Sequence, residues 1–180
     1  DEPDETFTLN LSNPTNATIS DGQGLGTILD DDTTPGLSID DVAVTEGNGG
    51  TVEAIFTVSL SAISGQTVTV DFATADGSAV APADYTAIST TTLTFNPGVV
   101  THTITATVQS DAIDEPDETF TVDLSNPNNA TISDNQGLGT IIDDDEEADL
   151  EISKNDNPDP AIAGQPLTYM LSITNHSLLS

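Results

Sequence analysis

Apolar and polar residues alternate with a period of two along most of the stretch from residue 37 to residue 145. Thr51–Leu60 places Phe56, Val58 and Leu60 on one face and throws Ile55 to the other. Thr67–Ala73 does the same with Val68, Val70 and Phe72, Thr91–Phe95 with Leu93 and Phe95, His102–Val108 with Ile104, Ala106 and Val108, and Thr119–Leu124 with Phe120, Val122 and Leu124. Successive side chains of a strand point to opposite faces of a sheet, so this alternation in Val, Ile, Thr and Phe marks half-buried strands. Leu37–Val44 predicts a first strand with a bend, and Gly139–Ile142 a last and shortest one. Asn48-Gly49-Gly50, Asp76-Gly77 and Asn96-Pro97-Gly98 supply turn chemistry between the runs. No stretch carries helical periodicity. Seven short strands in about 110 residues predict an all-β fold, an antiparallel β-sandwich of the immunoglobulin type.

Residues 1–32 recur at 114–145, differing only at Leu9/Val122, Asn10/Asp123, Thr15/Asn128, Gly22/Asn135 and Leu29/Ile142. Near-identity over such a length marks a tandem array with a period of one domain. The organisation predicted is a C-terminal part of a preceding repeat at 1–32, a linker at 33–36, a complete repeat at 37–145, a linker at 146–148, and the N-terminal part of a different sandwich at 149–180. That last segment has strand signals at Asp149–Ser153 and Leu167–Thr174, with a turn at Gly164-Gln165-Pro166. Two strands bury no core alone. Both half-domains are therefore expected to be completed from a longer chain or, alternatively, by strand exchange with other copies in a fibre.

Charge narrows the partners. The chain has 31 Asp and Glu against a single basic side chain, Lys154, for a net charge of −30. Nucleic acid and anionic membranes both need positive surface, so neither is expected as a partner. No apolar run approaches the roughly 18 residues of a membrane span, so no membrane insertion is expected in this segment. There is no Cys, and a domain without disulfides can be stapled by bound metal instead.

The acids are not spread evenly. In a sandwich whose strands alternate in direction, the ends of the first, third, fifth and seventh strands share a pole. Glu46 follows the first strand; Asp76 and Asp84 follow the third; Asp111, Asp114, Glu115, Asp117 and Glu118 lie between the fifth and sixth; Asp143, Asp144 and Asp145 end the seventh. The opposite pole, with Ser61–Gly65, Asn96–Gly98 and Ser125–Asn128, has no carboxylate. Carboxylates gathered in this way repel one another unless protonated or bridged by a cation. Ca²⁺ accepts six to eight oxygens in irregular geometry, backbone carbonyls such as that of Ile113 included, whereas Mg²⁺ prefers to keep its waters. Zinc and copper fit poorly, because His102 and His176 lie away from the cluster. A solvated acidic face is the competing account; segregation to one pole and the scarcity of Lys and Arg argue against it.

Several motifs in order resemble one family. Val44-Thr45-Glu46-Gly47, Val68-Thr69-Val70-Asp71-Phe72 leading to Asp76-Gly77, Asp84-Tyr85, Asn96-Pro97-Gly98, Asp114-Glu115-Pro116-Asp117-Glu118 and Thr140-Ile141-Ile142-Asp143-Asp144-Asp145 resemble the Calx-beta domain, across 37–145 and again in 1–32. The resemblance implies Ca²⁺ bound by Glu46, Asp76, Asp111, the Ile113 carbonyl, Glu115, Glu118, Asp143, Asp144 and Asp145, with Glu2, Glu5, Asp30, Asp31 and Asp32 as the incomplete set of the N-terminal copy. Ser110 and Ala112 replace acids found in strongly calcium-binding members, which implies fewer ions or weaker binding. Asp149–Asn175 resembles the opening of the DUF11 module, an immunoglobulin-like repeat of prokaryotic surface proteins.

Together these imply a non-enzymatic, calcium-binding structural repeat of a prokaryotic cell-surface or extracellular stalk, adhesin or filament, whose partners are neighbouring repeats and whose junctions are stiffened by the ion. A calcium-dependent adhesive binding protein or glycan is the alternative, and an intracellular calcium sensor ranks below it. Paired carboxylates also suit a glycosidase, but a sugar cleft needs aromatic platforms and the chain has no Trp and two Tyr. His102 is expected at a surface strand position, and Tyr85 and Phe95 in core or edge packing. Asn10, Asn16, Asn129 and Asn175 head glycosylation triplets that read as coincidence in so Asn-, Ser- and Thr-rich a chain, and Gly22–Gly26 reads as a turn, since no helix follows it.

Overall fold

The computed structural model describes residues 1–157, 160 and 162–176. Pro158, in the Asn-Pro piece of the last module, and Ser177, which closes the fourth triplet, lie outside the described residues. The strands are β1 Glu5–Asn10, β2 Gln23–Ile28, β3 Gly36–Ile39, β4 Val42–Thr45, β5 Gly50–Leu60, β6 Val68–Asp76, β7 Thr91–Phe95, β8 Thr101–Ser110, β9 Glu118–Asn128, β10 Thr131–Ile132, β11 Gln136–Ile142, β12 Leu150–Asn157 and β13 Thr168–Asn175. Among the described residues no helix is long and apolar enough to cross a membrane.

Two sheets, ordered β10-β3-β5-β8 and β4-β11-β9-β6-β7, make an immunoglobulin-like sandwich from residue 36 to residue 142. Their inward positions are those of the alternation: Ala54, Phe56, Val58 and Leu60 of β5, Ile104, Ala106 and Val108 of β8, Val68, Val70 and Phe72 of β6, and Phe120, Val122 and Leu124 of β9 are buried. Phe120 sits at the centre, stacked on Tyr85 at 4.5 Å between centroids and edge-on to Phe56 at 6.0 Å. Burial of this continuous apolar layer is the main term favouring the fold.

The structure differs from expectation at the first strand. The predicted bend in Leu37–Val44 is a crossing from one sheet to the other. β3 pairs antiparallel with β5, and β4 pairs parallel with β11. Two carboxylates hold the crossing: Asp40 Oδ1 accepts from Thr57 N at 2.6 Å, and Asp41 Oδ1 accepts from Leu138 N at 2.8 Å. The crossing passes over Gly137, where a Cβ would lie 2.6 Å from the Asp40 carbonyl oxygen. A second parallel pairing joins β10 to β3, so the sandwich is not wholly antiparallel.

His102 is also corrected. It is half-buried rather than on the surface, with its ring edge-on to Phe95 at 4.9 Å and its buried Nε2 without a hydrogen-bond partner. It occupies the register position opposite Val58, under the edge of β7 rather than in solvent.

β1–β2 and β12–β13 form separate two-stranded antiparallel sheets. The first meets the sandwich at the loop of the carboxylate-free pole, where Gly65 N donates to the Asp1 carbonyl at 2.9 Å and Gln66 Nε2 donates to Asp1 Oδ2 at 3.3 Å.

Candidate metal centre

The parallel β4–β11 pair positions the acidic pole. Thr45 is in register with Ile142, and Glu46 N extends the ladder by donating to the Ile142 carbonyl at 3.1 Å. Glu46 and Asp143 therefore leave two adjacent strands at the same end. Beyond them Gly47 N donates to Asp144 Oδ1 at 2.9 Å, and the Asn48 amide donates to Asp145 Oδ1. β8 ends beside them, since Ser110 pairs with Gly50 and its hydroxyl donates to the Glu46 carbonyl. That bond gives Ser110 a structural task at a position where an acid was the family expectation. β9 begins with Glu118 opposite Ile141. Four chain segments thus converge through backbone register alone.

Carboxylate oxygens of Glu46, Asp143 and Asp145, all half-buried, lie within 4.8 Å of one another. Asp143 Oδ1 and Asp145 Oδ2 are buried and have no hydrogen-bond partner. Two anionic oxygens withdrawn from water with no donor are costly. The strain appears in the titration of the cluster. Burial, then Asp111, Asp143, Glu115 and Asp145, push the Glu46 carboxyl up to about 7. Burial followed by Asp143 and Asp144 raises Asp145, against the opposing Asn48 amide. Burial followed by Asp84 raises Glu118. A depression beside the trio is lined by Glu46, Asp84, Asp111, Glu115, Glu118 and Asp143.

The expected ligand residues divide into three groups. Glu46, Asp143 and Asp145 form the converged trio, and Asp111, Glu115 and Glu118 border it. Asp144 is turned to the Gly47 amide, and Ile113 donates its own amide to Asp111 Oδ1 at 2.8 Å. Asp76 stands apart: its Oδ1 accepts from the Tyr85 hydroxyl at 2.6 Å and from Ala81 N at 3.1 Å, and these bonds, the phenol first, hold its carboxyl below the usual range. Asp117 accepts from Asp143 N at 3.2 Å and so braces the trio from outside. Glu2, Glu5, Asp30, Asp31 and Asp32 of the N-terminal copy are not drawn into such a group among the described residues, because the hairpin has no counterpart of Glu46 or Asp111 beside it. One contributor escaped the sequence reading: Asn48, in a Gly-Asn-Gly-Gly turn, orients Asp145. Asp84, placed at this pole by strand order, helps to raise the Glu118 carboxyl.

The donor set suits a hard cation. All three converged groups offer carboxylate oxygen, Asp143 and Asp145 each carry a buried oxygen without a hydrogen-bond partner, and further carboxylates line the adjoining depression. Ca²⁺ tolerates such irregular, oxygen-only surroundings.

The family model of the Calx-beta domain matches residues 29–156. Among solved structures, the apo form of the Calx CBD1 domain is similar at 26% identity and a TM-score of 0.54, over 63% of this chain and 100% of that one. The calcium binding domain CBD12 of CALX1.1 is similar at 25% identity and a TM-score of 0.55, over 65% of this chain and 49% of that one. CBD12 from CALX1.2 matches at 26% identity and a TM-score of 0.54, over 61% of this chain and 45% of that one. No curated protein matches the chain significantly.

Proposed function

Because the chain belongs to the Calx-beta domain family, we propose that its acidic pole is a Ca²⁺ site, and that the protein is a non-enzymatic structural repeat of a prokaryotic cell-surface or extracellular stalk in which the ion stiffens the handover between modules. The observation that carries the reading is the pair of buried, unpartnered oxygens, Asp143 Oδ1 and Asp145 Oδ2, on two carboxylates that converge with that of Glu46. A divalent cation there replaces mutual repulsion with attraction and makes proton uptake by Glu46 unnecessary. Glu46, Asp143 and Asp145 are the central ligands. Asp111, Glu115 and Glu118 complete the oxygen set from the bordering loop. The relative named a calcium binding domain supports the choice of ion.

The array reading rests on the recurrence of residues 1–32 at 114–145. Its partners are neighbouring repeats. Asp143–Asp145 are followed within a few residues by β12, so an ion held there lies at the start of the next module. An extracellular setting, where modules bind Ca²⁺ at about 10⁻⁴–10⁻³ M, suits an acidic surface of charge −30.

The test is thermal unfolding at matched ionic strength in chelator, Ca²⁺ and Mg²⁺. Binding only to the folded state stabilises by about 2.7 kcal/mol at a free ion concentration of 100 times Kd, so the midpoint should rise with Ca²⁺ and much less with Mg²⁺. An unchanged midpoint would sink the site. Small-angle scattering should show a narrower spread of interdomain angles with Ca²⁺; a change confined to one module would instead support a sensor.

A further inference from the structure

Asn48 is the one asparagine of the chain that a glycine follows. Such a pair is chemically labile, because a residue without a side chain lets its backbone nitrogen swing onto the neighbouring side-chain amide carbon. Here the pair lies in open surroundings. Asn48 and Gly49 are exposed, and nothing stands within 4 Å of the place that a Cβ on Gly47, Gly49 or Gly50 would take. These three glycines hold φ of 76°, 149° and 89°, so the turn has a backbone freedom that other residues lack. The Asn48 side chain nevertheless reaches the acidic pole. Its Nδ2 donates to Asp145 Oδ1, while Asp145 Oδ2 is buried without a partner and the Asp145 carboxylate converges with those of Glu46 and Asp143. The atom that hydrolysis of this amide replaces is therefore the one that touches the trio.

We propose that Asn48 is a site of spontaneous deamidation, and that the carboxylate formed there is a further oxygen ligand of the acidic pole, so that a module grips Ca²⁺ more tightly as it ages. The ligand role rests on the calcium reading; the modification itself does not. The Gly49 backbone nitrogen, giving its proton to solvent base, bonds to the Asn48 side-chain carbonyl carbon. The bond from that carbon to Nδ2 breaks, Nδ2 takes up a proton and leaves as ammonia, and a cyclic imide remains. Water then opens one of the two imide carbon–nitrogen bonds, leaving aspartate or isoaspartate at position 48. No oxidant or enzyme is needed, and either product is an anion. Other exposed asparagines lack this route. Asn16 and Asn129 precede Ala, whose side chain hinders the approach, and Asn13, Asn96 and Asn126 precede Pro, which has no amide hydrogen to give up. Without calcium the conversion replaces a donor to Asp145 with a like charge, which adds to the repulsion at the pole. With calcium the same anion adds ligand charge, the lever that tunes affinity in oxygen-only sites.

The test stores the full chain at pH 8 and reads the peptide 47–53, released by cleavage after Glu46 and Glu53, for added mass and isoaspartate. Position 48 should convert while Asn16 and Asn129 keep their amides, and conversion should run faster as pH rises. Asn48→Asp encodes one of the two products directly. It should bind Ca²⁺ about tenfold more tightly than the fresh chain, the Coulomb gain of one unit charge beside a divalent ion in watery surroundings, and it should melt below the fresh chain in chelator. Asn48→Gln, which keeps an amide, should show neither change, and the stored, converted chain should shift in the same directions as Asn48→Asp. The inference is overturned if position 48 keeps its amide as long as Asn16 and Asn129 do, or if Asn48→Asp and Asn48→Gln bind calcium alike. A fresh chain that binds no calcium sinks the metal site and the ligand role of position 48 with it; calcium binding indifferent to the charge at position 48 sinks this inference alone.

Discussion

Glu46→Gln should stabilise the protein without calcium and weaken it with calcium. In chelator at pH 8 the wild-type carboxylate is ionised and faces Asp111, Asp143, Glu115 and Asp145, and burial together with these charges pushes its carboxyl to about 7 from an ordinary 4.5. A rise of that size corresponds to at most about 3.5 kcal/mol. Solvent screening around a half-buried group reduces the usable part to about 1 kcal/mol. The sign follows from linkage. A folded-state value above the unfolded one gives stability that is fully present below 4.5 and is lost as pH rises through about 7. Glutamine is neutral throughout, so the variant should melt higher than wild type at pH 8 by about 3–5 °C, and the gap should close as pH falls toward 4.5. Saturating Ca²⁺ should reverse the order, because an amide oxygen replaces an anionic ligand. Paired melting curves at pH 8 and pH 4.5, with and without calcium at constant ionic strength, read both effects. A variant less stable than wild type in chelator at pH 8, or an equal calcium-induced rise in both proteins, would refute the reasoning.

Phe120→Ala should cost about 3–5 kcal/mol in guanidinium unfolding, while Phe7→Ala, at the matching position of the open hairpin, should stay within about 0.5 kcal/mol; equal costs would show Phe7 to be covered. Gly137→Ala sets a methyl group against the Asp40 carbonyl and the Phe56 ring, and should cost about 1–3 kcal/mol, since backbone on one side cannot yield; an unchanged unfolding midpoint would contradict the crossing geometry. Tyr85→Phe removes the donor that does most to hold Asp76 down, so the Asp76 carboxyl should titrate higher by carbon-detected NMR. The stability it supplies, present above its ordinary value and lost as pH falls through the depressed one, should shrink; an unmoved titration would exclude the phenol as the cause.

The core was legible because it depends on a local rule. Phe56, Val58, Ile104, Val108, Phe120 and Val122 declare themselves by period-two spacing, and all are buried. The sheet crossing was not, because Asp40 and Asp41 act through the amides of Thr57 and Leu138, distant in sequence and on different sheets. The pole of the site was readable from strand order, but not which acids meet there. Asp76 looks like any other strand-end carboxylate until the Tyr85 hydroxyl is seen to engage it, and Asn48 carries no sign in sequence that it will face Asp145. His102 was misplaced because alternation assigns a face, not the width of the sheet that covers it.

The parallel β4–β11 pair has a mechanical consequence. β4 stands near the entrance of the module and β11 at its exit, and they run in the same direction. Tension that draws the two ends of the module apart therefore slides one strand along the other instead of peeling them open. The four register pairs from Val42–Gly139 to Thr45–Ile142 are loaded at once, and the Glu46–Asp143–Asp145 trio lies where this seam meets the outgoing chain. A cation clamped there acts as a rivet at the loaded end of a lap joint, so the force needed to rupture the module should rise with bound ion even where its resting shape does not change.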